Sequence, residues 1–165
     1  TSAHAALNLN AGNGIGFELG VMAAAKNIGI RPVVSFGMDG FTAKIGFENG
    51  KNAAGTKVSG AGITVGTTMA GAGINLSYGS GKTTAAAASS ASVKGSSLGL
   101  NATMGAAGVG YIMDKTGSAK ENMFYAAYSL PLFDTGATIT PAASYSKADG
   151  EAKRIGLRVR VNYAF

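Results

Sequence analysis

The chain has 165 residues, a formal net charge of +6, no cysteine, and 13% charged against 46% hydrophobic residues. This length suits one domain, residues 1–165, the missing cysteine excludes disulfides and thiolate metal sites, and a soluble surface normally carries about twice as much charge. No stretch approaches the roughly twenty apolar residues of a membrane-crossing helix, so the apolar character is spread thinly, as in strands that expose every second residue to a greasy surrounding.

In chain order the sequence alternates. Ala5, Leu7, Leu9 and Ala11 occupy one face of a first segment, and Asn13-Gly14 marks a tight hairpin. Ile15, Phe17, Leu19, Val21 and Ala23 follow at every second place, opposed by Gly16, Glu18, Gly20 and Met22. A looser stretch, 24–32, leads to Val34, Phe36 and Met38, the Asp39-Gly40 turn, and Phe41, Ala43, Ile45 and Phe47 against Thr42, Lys44, Gly46 and Glu48. After the polar stretch 49–57 come strands centred on Ile63 and Leu76, then a Ser/Ala/Thr/Gly-rich segment, 79–97, that reads as loop. Strands around Leu100, Tyr111, Phe124 and Ile139 follow, with connections near 105–106, 114–121, 133–136 and 146–153.

The last run has the cleanest pattern. Ile155, Leu157, Val159, Val161, Tyr163 and Phe165 share one face, while Arg154, Gly156, Arg158, Arg160, Asn162 and Ala164 share the other. A helix would put Arg158 beside Ile155 and Val159 and would have no apolar stripe. Leu157, Val159, Val161, Tyr163 and the aromatic end at Phe165 resemble the C-terminal signature of Gram-negative outer-membrane β-barrels, including porins. That resemblance implies that this strand closes a barrel against the first strand and that the terminal aromatic is read by the barrel assembly machinery.

Two regularities accompany it. Connections alternate short and long, as in barrels with short turns at one rim and loops at the other, which a Greek-key sandwich does not require. No charged residue falls on the apolar face of any segment as delimited above, where Arg or Lys near the bilayer midplane costs about 2–4 kcal/mol. The expected fold is therefore an all-β, antiparallel up-and-down transmembrane barrel of about 10–12 strands. About eleven segments are legible; the even numbers usual in bacteria require either that the first is not a membrane strand or that one more lies in 79–97. A portion of a larger porin is a further alternative. Thr1 opens no charged-then-apolar leader, which reads as a mature or trimmed chain.

Little chemistry is legible. His4 is the single histidine, and neither a metal site nor a Ser-His-Asp set can be assembled around it. Gly79-Ser80-Gly81-Lys82-Thr83-Thr84 lacks the full phosphate-loop spacing and reads as a flexible loop. No cofactor and no enzymatic activity are expected. The lysines are dispersed through the connections, so nucleic acid is not an expected partner; lipid and lipopolysaccharide phosphates of an outer membrane are, and a homo-oligomer is another. The lumen-lining candidates are Arg154, Arg158, Arg160, Lys44, Glu18, Glu48 and Asp39. The arginines either form a positive stripe near Lys44, giving a mild anion preference, or pair with Glu18, Asp39 and Glu48 as struts. The functional expectation is a porin-like channel passing small hydrophilic solutes. The alternatives are a narrow, non-conducting surface barrel and a soluble secreted β adhesion protein.

Overall fold

A computed structural model describes residues 2–24, 27–52, 54–86, 91–132 and 136–162. Its regular elements are strands: β1 (Ser2–Gly12), β2 (Ile15–Ala24), β3 (Asn27–Met38), β4 (Phe41–Lys51), β5 (Lys57–Met69), β6 (Ala72–Thr84), β7 (Ser92–Met104), β8 (Ala107–Thr116), β9 (Ala119–Tyr128), β10 (Leu130–Leu132), β11 (Ala137–Ala148) and β12 (Arg154–Asn162). All belong to one antiparallel up-and-down sheet. The short β10 continues the line of β9 along β11 after a break at Ser129, and β12 pairs with β11. Counting β9 and β10 as one pass, the chain traverses the sheet eleven times. The twelve strands fall within the expected range; the first segment is a paired strand of the sheet, and the described residues of 79–97 form the ends of β6 and β7 and no extra strand.

Alternation sets the faces. Directly opposed residues share a face, and the register places Ile45 opposite Ile63, Val65 opposite Leu76 and Leu76 opposite Leu100. Each such pair contributes on the order of 0.2–1 kcal/mol. This apolar face has no second layer on it. Ala137 is the one buried hydrophobic residue among those described, while Leu76 is 47% and Leu157 84% exposed. The smaller residues of the opposite, polar face are more covered, as the alternating burial along β6 and β11 shows. The sheet thus curls toward its polar side.

The tight turns follow from backbone chemistry. Asn13 and Gly14 both adopt positive φ, 49° and 75°, as do Ala70 and Gly71, 51° and 77°, the requirement of a two-residue hairpin turn matched to strand twist. A Cβ on Gly14 would lie 1.8 Å from the carbonyl oxygen of Gly37, whereas one on Gly71 would meet nothing within 4 Å. Gly14→Ala is therefore expected to lower stability well beyond Gly71→Ala, which carries only the left-handed backbone cost of about 1–2 kcal/mol. Ala70→Asn is expected to raise stability by about 1 kcal/mol. Urea unfolding midpoints of the three variants check the order.

Several expectations are corrected. Strands run further than composition indicated: β2 and β3 stay paired to Ala24 and Asn27, and β8 and β9 to Thr116 and Ala119, so the described residues of the connection expected at 24–32, and all of 114–121 but the Gly117-Ser118 turn, are strand. Residues 79–84 and 92–97, including the supposed loop Gly79 to Thr84, are the paired ends of β6 and β7. Because the strands lengthen, lysines such as Lys82, Lys94 and Lys115 do lie on the apolar face, at its rim. Glycine, threonine and lysine mark where the apolar band stops, but the backbone ladder continues regardless of side chain. The contrast between the two ends survives in weaker form: 13–14, 39–40, 70–71 and 105–106 are two-residue turns, and the opposite end has the longer 52–56, 85–91 and 149–153. Among the described residues β12 pairs with β11 and not with β1, so the sheet is not closed.

Candidate functional site

The concave polar face is the candidate site. Its floor is made of small residues because each outward Leu, Ile or Val alternates with Gly, Ser, Thr, Ala or Asn. Short hydrogen bonds tie neighbouring strands along it: Thr64 and Ser77 hydroxyls at 3.1 Å, Asn75 Nδ2 donating to Asn101 Oδ1 at 3.1 Å, and Ser129 and Thr140 hydroxyls at 2.9 Å. Each is worth about 1 kcal/mol net and fixes strand register on a face that has little packing to fix it.

The register puts six of the seven lumen candidates on this face. Glu18 stands opposite Asn8 and Val33, Lys44 opposite Ser35 and Thr64, and Glu48 opposite Gly60. Arg154, Arg158 and Arg160 face Ser146, Ala142 and Thr140 of β11. Asp39 is in the turn between β3 and β4, not within a strand. The struts do not form as expected. Glu48 accepts a 3.0 Å hydrogen bond from Arg31 Nη2, and Arg154 pairs with Glu151 in the preceding connection. Arg158 and Arg160 have no ion-pair partner among the described residues. Nor does Lys44 stand beside the arginines: β5 to β11 separate it from β12, on the order of 34 Å along the sheet at the usual strand spacing. Of the closing-strand signature, Leu157, Val159 and Val161 line the outward face of β12, while Tyr163 and Phe165 lie outside the described residues.

Three ionisable residues of this face were hidden in supposed connections. Arg31 lies on β3 opposite Gly20, and Asp114 on β8 directly opposite Glu121 on β9. Extending the every-second-residue count past Val33, Ile112 and Met123 would have found them; Pro32 and the polar composition around Gly117 argued against doing so. Charge is consequently divided along the face. A polar hollow of about 580 Å³ is bordered by Glu48, Asp114 and Glu121 together with Lys82, Lys94 and Lys115 from the rim, and Arg158 and Arg160 stand at the β12 edge. Two carboxylates directly across a strand pair repel each other, so Asp114 and Glu121 make a local field that favours cations. Over the strands, Arg31, Lys44, Arg154, Arg158 and Arg160 oppose Glu18, Glu48, Asp114 and Glu121, five cations against four anions.

The face is partly obstructed over β8 and β9. Ile112, Met123 and Tyr125 point inward, and the Tyr125 ring lies across Gly110, where a Cβ would come within 2.2 Å of it. Among the described residues no His, Asp or Glu group gathers in a metal-holding arrangement. No protein-family model matches the chain, and no match is found among curated proteins.

Proposed function

We propose that this chain is a porin-like outer-membrane barrel protein through which small hydrophilic solutes diffuse passively. The observation that carries the reading is the inverted distribution of polarity: a single curled sheet whose apolar side chains are the exposed ones and whose polar side chains occupy the concavity. A single layer must bury its apolar face against something, and the acyl chains of a bilayer supply that without a second sheet. Strands of nine to thirteen residues, β10 apart, match the length needed to cross the hydrocarbon at a tilt. The outward Phe41 and Tyr128, at strand ends beside short turns, suit an interfacial girdle.

Transport on this reading needs only width and lining. Small side chains leave space for water, and the unpaired Arg158 and Arg160 favour anions by a small margin over the acidic centre. A membrane also requires that the open edges find partners, since unpaired backbone groups in hydrocarbon each cost several kcal/mol. Because the number of passes is odd, β1 and β12 run in the same direction. Joining them directly makes a parallel seam, and an antiparallel seam needs an odd number of further strands between them. Cysteines introduced at Leu7 and Leu157, tested for cross-linking within one chain, distinguish direct closure from an intervening strand.

Planar-bilayer recording tests the channel: stepwise conductance with a small anion preference is the expected result. A protein that inserts without conducting supports the second reading, a narrow surface barrel, which the inward Ile112, Met123 and Tyr125 favour. Tyr125→Ala separates the two further. It is expected to raise single-channel conductance if the ring narrows an open lumen, and to leave zero current unchanged if the interior is plugged. A protein that stays in solution without detergent points to the soluble adhesion reading.

A further inference from the structure

The lysines of the apolar face are not scattered. Lys51 faces Lys57, Lys82 faces Lys94, and Lys115 faces Lys120, three directly opposed pairs, followed by Lys147 opposite Asn122. The pairs descend in even steps. Lys82 sits across from Ser59, two residues below Lys57, and Lys115 across from Ser96, two residues below Lys94. A level line drawn over tilted strands steps in this way, so the lysines trace one plane at the rim that carries the longer connections. Opposed like charges repel, and among the described residues none of these lysines makes an ion pair. Asp114 and Glu121 point to the other face. The carboxylate of Asp149 is at this rim, and its Oδ2 accepts from the backbone N–H of Lys120 at 3.0 Å.

Below the third step the apolar face is hollowed. A groove of about 640 Å³ runs over Ala102, Ala126 and Ala143 between Tyr111, Phe124 and Tyr145. Ala126 is six residues along β9 from Lys120, about 20 Å at the rise of a strand. Several cationic side chains and an apolar groove on one face, a lipid length apart, call for one amphiphile with more than one phosphate. A headgroup with a single phosphate leaves one of two opposed ammonium groups uncompensated. From this arrangement, and resting on the membrane-barrel reading, we infer that Lys115, Lys120 and Lys147 hold the phosphates of lipopolysaccharide while one of its acyl chains lies in the Ala102–Ala126–Ala143 groove.

The test uses the whole chain reconstituted in phosphatidylcholine vesicles doped with diphosphoryl lipid A. Wild-type protein is expected to retain lipid A through detergent extraction. The Lys115→Ala/Lys120→Ala/Lys147→Ala variant is expected to retain about tenfold less, in line with the loss of charge-assisted contacts. Ala126→Phe/Ala143→Phe, which fills the groove and leaves every lysine, is expected to lose retention as well. Equal retention by the lysine variant, or equal retention of phosphatidylglycerol at matched charge, overturns the site. Protease protection of the same vesicles scores insertion: wild-type protein that inserts but shows no selective retention overturns the lipid site alone, and wild-type protein that fails to insert overturns the barrel reading and the site with it.

Discussion

Leu100→Arg is expected to lower the stability of the inserted protein by about 2–4 kcal/mol, and Asn101→Arg, one residue along the same strand, by only about 1 kcal/mol. Leu100 lies on the outward face of β7 between Leu76 and Tyr111, well away from both rims. On the proposed barrel reading a guanidinium there enters hydrocarbon, at about 2–4 kcal/mol near the midplane, a large part of a typical net stability of about 5–15 kcal/mol. Asn101 faces the concavity, where its Oδ1 accepts from Asn75 Nδ2 at 3.1 Å. Replacing it removes that hydrogen bond, about 1 kcal/mol, and places the new charge where water can reach it. Urea unfolding in the presence of vesicles gives both differences. The adjacent pair controls for strand propensity and position, so equal tolerance of the two substitutions would remove the basis for placing lipid on the Leu100 side.

Arg158→Glu/Arg160→Glu is expected to reverse the sign of the reversal potential in a salt gradient, from a weak anion preference to a cation preference. The wild-type balance over the strands is five cations against four carboxylates, and Arg31 and Arg154 are already engaged by Glu48 and Glu151. Two charge reversals on one strand change the net charge of the face by four and extend the acidic region of Asp114 and Glu121 to the β12 edge. The local field of a low-dielectric cleft amplifies such a change. Among the described residues neither arginine has an ion-pair partner to lose, so stability is expected to stay within about 0.5 kcal/mol of wild type. A reversal potential that does not move places the conducting path, if one exists, away from β12.

The strand faces were legible because side-chain direction in an extended chain has a period of two, whatever surrounds it. Leu98 to Met104 and Ile155 to Val161 could be assigned to the correct face without neighbours. The strand ends were not legible. Around Asp114 and Glu121 the composition turns polar and the apolar count stops, and beside Arg31 the proline Pro32 argues against a strand, while the hydrogen-bond ladder between β8 and β9, or β2 and β3, continues for several residues. A ladder is a property of two strands, and one strand's residues carry no record of its partner's length. The same gap hid the lysine staircase: each lysine looked like a solvated loop residue until the register set Lys82 against Lys94 and Lys115 against Lys120.

The sequence by itself determined that this chain forms strands with one apolar and one polar side, turned by Asn13-Gly14 and Asp39-Gly40, and that it carries too little charge for an ordinary soluble surface. The alternation and the turn chemistry are local, so no tertiary information was needed. The tertiary structure decided which residues share a row: Arg31 with Glu48 and not Arg154 with Glu48, Asp114 against Glu121, Lys44 far from the arginines. Those pairings depend on stagger between strands distant in sequence, set jointly by turn geometry and cross-strand packing. The curl toward the polar side likewise became visible only when all the strands were laid together.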